Sequence, residues 1–328
     1  MKIIVTGAAG FVGTNFISYA LSHGAQVIGY DINDDFLRLK DSGIRDHMNF
    51  SFVRSNIAID PIQIDNSVTH VVHLAALAHV DFSVRNPNLT IANNVNSTLT
   101  VLEALRSNPR PTIFTSSVEV YGGSDHRIYT ESDDRRPLSP YATSKVCCED
   151  LCSLYRNSYG LNVTVVRLTN LFGPWQSPDR VIPRSIARRL YELPLFADEA
   201  RTRDFLHIHE VCRAFWLALT RSIPHTVLNI SSGIARSIRD AVSQVASHLP
   251  VQILTLANPD GRGSSLTSSP SAAARALNWR PEAQFDRDLL QTLEWYSTNT
   301  GWLRQFEAQI KSNHVGPFLV DYRRFGDE

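Results

Sequence analysis

The sequence has no surplus of charge: 32 Lys and Arg stand against 32 Asp and Glu. No net field draws the chain toward nucleic acid or an anionic membrane, so any anion must be held by local groups. Long hydrophobic runs are also missing. The opening MKIIVTGAAG has one Lys and the short apolar run IIV before a Gly-rich turn, far short of a signal h-region or a membrane span. A cytoplasmic location, with no nucleic-acid or membrane partner, is expected. Cysteine is scarce. Cys147, Cys148 and Cys152 crowd into what reads as one helix and Cys212 lies apart; helical neighbours make no disulfide framework. Cys148 and Cys152 share a helix face, and they read as buried small apolar side chains rather than metal ligands. Internal repeats and low-complexity segments are absent.

What is present is length and alternation. A chain of 328 residues, 43% of them hydrophobic, suffices for one large domain plus a smaller lobe with its own core. β-branched runs at Lys2 to Thr6, Gln26 to Tyr30, Phe50 to Val53, His70 to Leu74, Thr112 to Thr115 and Asn162 to Arg167 alternate with amphipathic stretches. Helices are expected from Phe11 to His23, Leu89 to Ser107 and Tyr141 to Tyr159. This βαβ order predicts an α/β fold, a doubly wound parallel sheet covered on both faces. From Thr169 the texture changes to a Gly/Pro-punctuated loop, LFGPWQSPDR, and an Arg-bearing helix, VIPRSIARRLYE. Val227 to Ile230 reads as one more buried strand. The expected division is residues 1–168 plus about 205–231 for the sheet domain. A mixed α/β lobe takes about 169–204 plus 232–328.

Directly after the first strand, TGAAGFVG places Gly7, Gly10 and Gly13 at a strand-to-helix turn, with Phe11 and Val12 opening the helix. Gly7 permits the tight turn, Gly10 lets backbone approach a pyrophosphate, and Gly13 allows close helix packing. The helix N-terminus adds N–H groups and positive potential. Asp31 ends the second strand, where its carboxylate can accept both ribose hydroxyls and repel a 2′-phosphate. These features predict a Rossmann-type domain that takes NAD rather than NADP. Asn56 and Ile57, after the third strand, are candidates for the adenine edge. Leu74, Ala75, Ala76 and Thr115, at the ends of later strands, complete the expected cofactor wall.

The strand ending FTSSVEVYG is followed by SPYATSK, where Tyr141 and Lys145 lie one turn apart on a helix. A phenol titrates near about 10, so it serves as a base at neutral pH only beside a cation, which Lys145 could supply. His207 and His209 suggest a metal pair only if they alternate along a strand, and no further ligand cluster accompanies them; no metal is expected.

Taken together, TGAAGFVG, Asp31, HLAALAHVD, SSVEVYG, YATSK, RLTNLFGP and RTRDFLHIHE resemble the extended short-chain dehydrogenase/reductase family in its nucleotide-sugar epimerase/dehydratase branch, from Met1 to about Tyr296. The resemblance implies that Tyr141 takes a sugar hydroxyl proton while hydride leaves the same carbon for NAD. Lys145 would hold the ribose and depress the tyrosine pKa, and Ser117 would hydrogen-bond the reacting oxygen. Asn170, Arg203 before Asp204, Arg180 and Arg262 match or lie near positions that hold a nucleotide diphosphate. His79, Asp81 and Ser83 fall where related enzymes line the sugar pocket, with helix capping as the competing role for the last two. A homodimer packed through Leu89 to Ser107 and Tyr141 to Tyr159 is implied as well.

The outcome after oxidation turns on Val118 and Glu119. A ketone at C4 acidifies the C5 proton, and Glu119 sits where 4,6-dehydratases of the branch carry a base for β-elimination. Those acting on dTDP-glucose place an Asp before that Glu to protonate the departing oxygen, and here the position is Val118. An epimerase needs no such acid. The expected order is therefore 4-epimerase, then dehydratase, ketoreductase and uronate decarboxylase. A non-catalytic NAD-binding protein comes last, because Tyr141 and Lys145 are both present.

Overall fold

The structure is a computed structural model, and it describes residues 1–33, 37–123, 127–198, 201–221, 223, 226–247, 252–255, 265–282 and 284–312. Seven strands pair in parallel in the order Val227–Ile230, Val163–Leu168, Thr112–Ser117, His70–His73, Lys2–Thr6, Gln26–Asp31, Phe50–Arg54. The chain starts near the middle, winds to one edge, then returns to build the other half. The order reverses between Lys2–Thr6 and His70–His73, and a crevice opens there at the strands' carboxyl ends.

Alternation along the strands splits the interior in two. Ile3 and Val5 join Phe16, Val72, Ile113, Val211 and Phe215 on one face, beneath the helices Phe11–Ser22 and Ile208–Thr220. Ile4 joins Val71, Leu102, Phe114, Cys148 and Cys152 on the other, beneath Pro87–Ser107 and Pro140–Tyr159. All four cysteines are free thiols: three are buried, and Cys147 is exposed.

A second core gathers Phe172, Ile186, Val242, Phe285, Tyr296 and Trp302. It carries a three-stranded sheet ordered Ala235–Ser237, Thr202–His207, Asn170–Phe172, and a parallel pair, Leu195–Ala197 with Ile253–Thr255. The expected division differs from this arrangement in two places. The boundary near residue 205 falls inside Thr202–His207, a strand that belongs to the small sheet. Ala273, Leu277 and Trp279, expected in the lobe, pack into the first core, because the helix Ser271–Leu277 returns against Val227–Ile230.

Element ends follow local chemistry. The Pro140–Tyr159 helix starts one residue before the sequence reading, since Ser139 Oγ accepts from the Ala142 N–H at 3.1 Å and Pro140 takes the first helical position. The helix expected through Glu192 stops at Leu190, and Glu192 adopts φ +55°.

Candidate active site

The crevice at the reversal point is a cleft of about 640 Å³ shared by both cores. On its cofactor side, Gly7 has φ +71°, and a Cβ there would stand 2.8 Å from the Ala75 nitrogen. A Cβ on Gly13 would fall 2.2 Å from the Gly7 carbonyl oxygen, so this helix approaches the turn as only glycine allows. A Cβ on Gly10 would meet only that same oxygen, at 3.1 Å, leaving its other side open to the cleft. No side chain caps the Phe11–Ser22 helix and no acid occupies its first turn, which leaves its orphan N–H groups and positive end open to an anion. Asp31 accepts from the Ala9 N–H through Oδ2 and from the Asn33 N–H through Oδ1, each at 2.9 Å. A turn, an uncapped helix start and a braced carboxylate fit the diphosphate and ribose of NAD.

Across the cleft, Ser117 ends its strand and caps the 3-10 turn Val118–Tyr121 by accepting from the Glu119 N–H at 3.2 Å. Gly122 closes that turn at φ +81°, where a Cβ would strike the Arg136 carbonyl. The Pro140–Tyr159 helix delivers Tyr141 and Lys145 to the same spot. Burial pushes the Tyr141 phenol up to about 12, while a hydrogen bond with Ser117 and the charge of Arg180 oppose the rise. Lys145 is buried, donates to the Thr115 carbonyl at 2.9 Å and lies over the Phe114 ring. The lowering expected of Lys145 is thus supplied chiefly by Ser117 and Arg180; the ammonium is turned to the strand backbone. Burial raises the Glu119 carboxyl, against the charges of Arg203, Arg180 and Arg201.

The lobe contributes the cations. Arg180 donates to the Ala78 carbonyl at 3.1 Å and stands 4.0 Å from Asp179. Arg201 meets Asp198 at 3.2 Å. Arg203 donates to its neighbour's carbonyl, and Asp204 braces the strand by accepting from Ser232 N–H, Ser232 Oγ and Gly233 N–H. His79 is buried on the facing wall. Burial first, then Arg180 and Arg85, hold its imidazole down to about 2, so it is neutral.

The cleft brings together Ser117, Glu119, Tyr141, Lys145, Gly7, Gly10, Phe11, Val12, Gly13, Asp31, Asn56, Ile57, Leu74, Ala75, Ala76, Thr115, His79, Asn170, Arg180 and Arg203. Arg262 lies outside the described residues. Asp81 also lines the cleft, whereas Ser83 turns its hydroxyl to the Val80 carbonyl. His207 and His209 do not alternate on a strand: His207 ends its strand and caps the helix Ile208–Thr220, whose second residue is His209, and the His209 N–H is accepted by His207 Nδ1 at 3.3 Å. Among the described residues no group of three or more His, Cys, Asp or Glu could hold a metal ion.

Sequence reasoning missed Arg38, Asp179, Arg184, Phe196 and Arg201, which all line the cleft. Arg184 follows Arg180 by one helical turn and could have been read from that spacing. Arg38 gives no such signal. It reaches the Ala9 carbonyl at 3.1 Å, the Trp175 carbonyl at 2.9 Å and Ser177 Oγ at 2.5 Å, and the last two contacts exist only once the two cores meet.

Comparison with known proteins agrees with this geometry. Residues 3–231 match the model of the NAD dependent epimerase/dehydratase family. The dTDP-glucose 4,6-dehydratase of Streptomyces antibioticus is 30% identical over 97% of this chain and 97% of its own. That of Actinoplanes sp. is 31% identical over 92% and 99%. Among solved structures, DesIV, the dTDP-glucose 4,6-dehydratase of Streptomyces venezuelae with NAD and TYD bound, superimposes with TM-score 0.84 at 27% identity, covering 92% of this chain and 98% of that one. The UDP-glucuronic acid 4-epimerase of Bacillus cereus, in complex with UDP-glucuronic acid and NAD, gives 0.83 at 26%, covering 91% and 99%. The chain belongs to the NAD dependent epimerase/dehydratase family and is an NAD-dependent enzyme of the extended short-chain dehydrogenase/reductase type.

Proposed function

We propose that this enzyme is a nucleotide-sugar 4-epimerase. The observation that carries the reading is Val118. It is 2% exposed, packed with Val120, Tyr121, Tyr129 and Leu266, and it stands between Ser117 and Glu119, where elimination would want a proton donor. Bound NAD would supply a hydride acceptor at the sugar carbon. Tyr141 takes the C4 hydroxyl proton at its phenolic oxygen and later restores it, while Ser117 fixes the reacting oxygen by hydrogen bond. Lys145 holds the ribose, and Arg203, Arg180 and Asn170 take the diphosphate. The two cores act as a cofactor domain and a substrate lobe closing on one sugar ring.

Dehydration is the second reading, supported by Glu119 at the cleft and by the dTDP-glucose 4,6-dehydratases among the relatives. In that case Glu119 removes the C5 proton. Incubation with UDP-, dTDP-, GDP- and CDP-sugars in deuterated water separates the two. An isomer of unchanged mass without deuterium supports epimerisation, whereas loss of water with deuterium incorporated sinks it in favour of Glu119-driven elimination. The same reading holds the protein to be a cytoplasmic homodimer pairing through Pro87–Ser107 and Pro140–Tyr159, the latter exposing Leu154 and Tyr159. A monomeric mass in sedimentation would refute the pairing.

A further inference from the structure

Most charges around the cleft are answered by protein. Lys145, Arg180, Arg201 and Arg38 each have a carbonyl, hydroxyl or carboxylate partner. Arg184 is different. It lines the cleft at 9% exposure, and among the described residues its guanidinium makes neither a hydrogen bond nor an ion pair. Burial pushes it below its ordinary value and the charge of Arg188 adds to this, against the charges of Asp179 and Asp81. A buried cation with its donor fork unanswered is costly unless a ligand completes it.

A second orphan shares this wall. His79 is 4% exposed, lines the cleft, and neither ring nitrogen has a hydrogen-bond partner. As a neutral imidazole it offers one donor and one acceptor, the complement of a hydroxyl. Asp179 links the pair, 3.7 Å from His79 Nε2 and within the field of Arg184. The diphosphate already has Arg203, Arg180 and the uncapped start of the Val181–Leu190 helix. Arg184 lies one turn further along that helix, within electrostatic reach of Asp179 and Asp81.

We propose that Arg184 and His79 form a recognition wall for an acidic sugar, Arg184 gripping its carboxylate and His79 a neighbouring hydroxyl. The substrate is then a nucleoside-diphosphate sugar acid. This rests on the nucleotide-sugar reading above and narrows it.

The test titrates the NAD-loaded full chain with UDP and dTDP, with UDP- and dTDP-glucose, and with UDP- and dTDP-glucuronate. The glucuronate form of whichever nucleotide binds should bind about tenfold or more tighter than its glucose form, the return expected of a charge-assisted pair. Arg184→Gln should abolish that preference while leaving affinity for the free nucleotide unchanged, and Arg184→Lys should keep part of it. Melting temperature should hold or rise in Arg184→Gln, because the change removes an unpaired buried charge; a fall would mark Arg184 as a packing residue and overturn the proposal. Equal weakening of free nucleotide would assign Arg184 to the diphosphate and overturn it too. Binding of neutral sugar nucleotides without preference for the acid sinks this inference alone. Failure of every nucleotide and sugar nucleotide to bind sinks the nucleotide-sugar reading beneath it.

Discussion

At the scale of single residues, Tyr141 carries the largest chemical demand. Its phenol lies at about 12 because burial outweighs Ser117 and Arg180. The proton-accepting form therefore grows as pH rises through neutrality, and kcat/KM should rise with it. Arg180→Met removes a positive charge that stabilises the phenolate, so the rising limb of the kcat/KM profile should move to higher pH; an unmoved limb would show that Arg180 does not act on Tyr141. Tyr141→Phe should retain NAD and substrate affinity while lowering kcat by roughly 10² or more, measured by single-turnover kinetics on nucleotide sugars. Tyr141, Lys145 and Ser117 were legible because each sits in a short motif, Ser117 at a strand end and Tyr141 and Lys145 one turn apart at the start of a helix. The orientation of Lys145 was not, since the choice between phenol and Thr115 carbonyl is made by how far the helix stands from the strand.

At the scale of elements, the Gly-rich turn was readable almost completely, because one strand, one turn and one helix are contiguous and their geometry is set by local sterics. Gly13→Ala should therefore be severe: its Cβ would sit 2.2 Å from backbone. We expect loss of bound NAD and destabilisation of about 1–3 kcal/mol from overpacking, read by cofactor content and thermal melting. Ser139→Ala tests a milder device. It removes the hydroxyl that accepts from Ala142 and should cost about 1 kcal/mol with NAD retained. The lobe's strands Asn170–Phe172, Leu195–Ala197 and Ala235–Ser237 were not read. Each has three residues, too few to show alternation, and each exists only because a distant partner supplies its hydrogen bonds.

Across the whole molecule, the two cores are joined by Arg38, which touches the cofactor turn at Ala9 and the lobe at Trp175 and Ser177, with its guanidinium 4.9 Å from the Trp302 ring centre. Acid should loosen this assembly through buried histidines. Burial, then Lys145, holds His73 down to about 3, where its nitrogens meet Thr6 and Thr98. The folded state resists a proton that the unfolded chain accepts near about 6.5. Stability from this group is therefore full above that pH and falls as pH drops toward 3. At pH 5 the loss is about 2 kcal/mol. His73→Gln should flatten the decline of melting temperature between pH 7 and pH 5, and an unchanged slope would clear His73 of this role.

By itself the sequence determined the doubly wound sheet, the glycine turn, the acid that ends the second strand and the Ser/Tyr/Lys set, because each depends on residues close together in the chain. The tertiary structure alone decided that Arg38, Arg184 and Arg201 join Arg180 and Arg203 at the cleft, which of these cations find partners and which is left unanswered. Arg38 comes from a segment far along the chain from Arg184 and Arg203, and whether a guanidinium is paired depends on distances that only the meeting of the two cores sets.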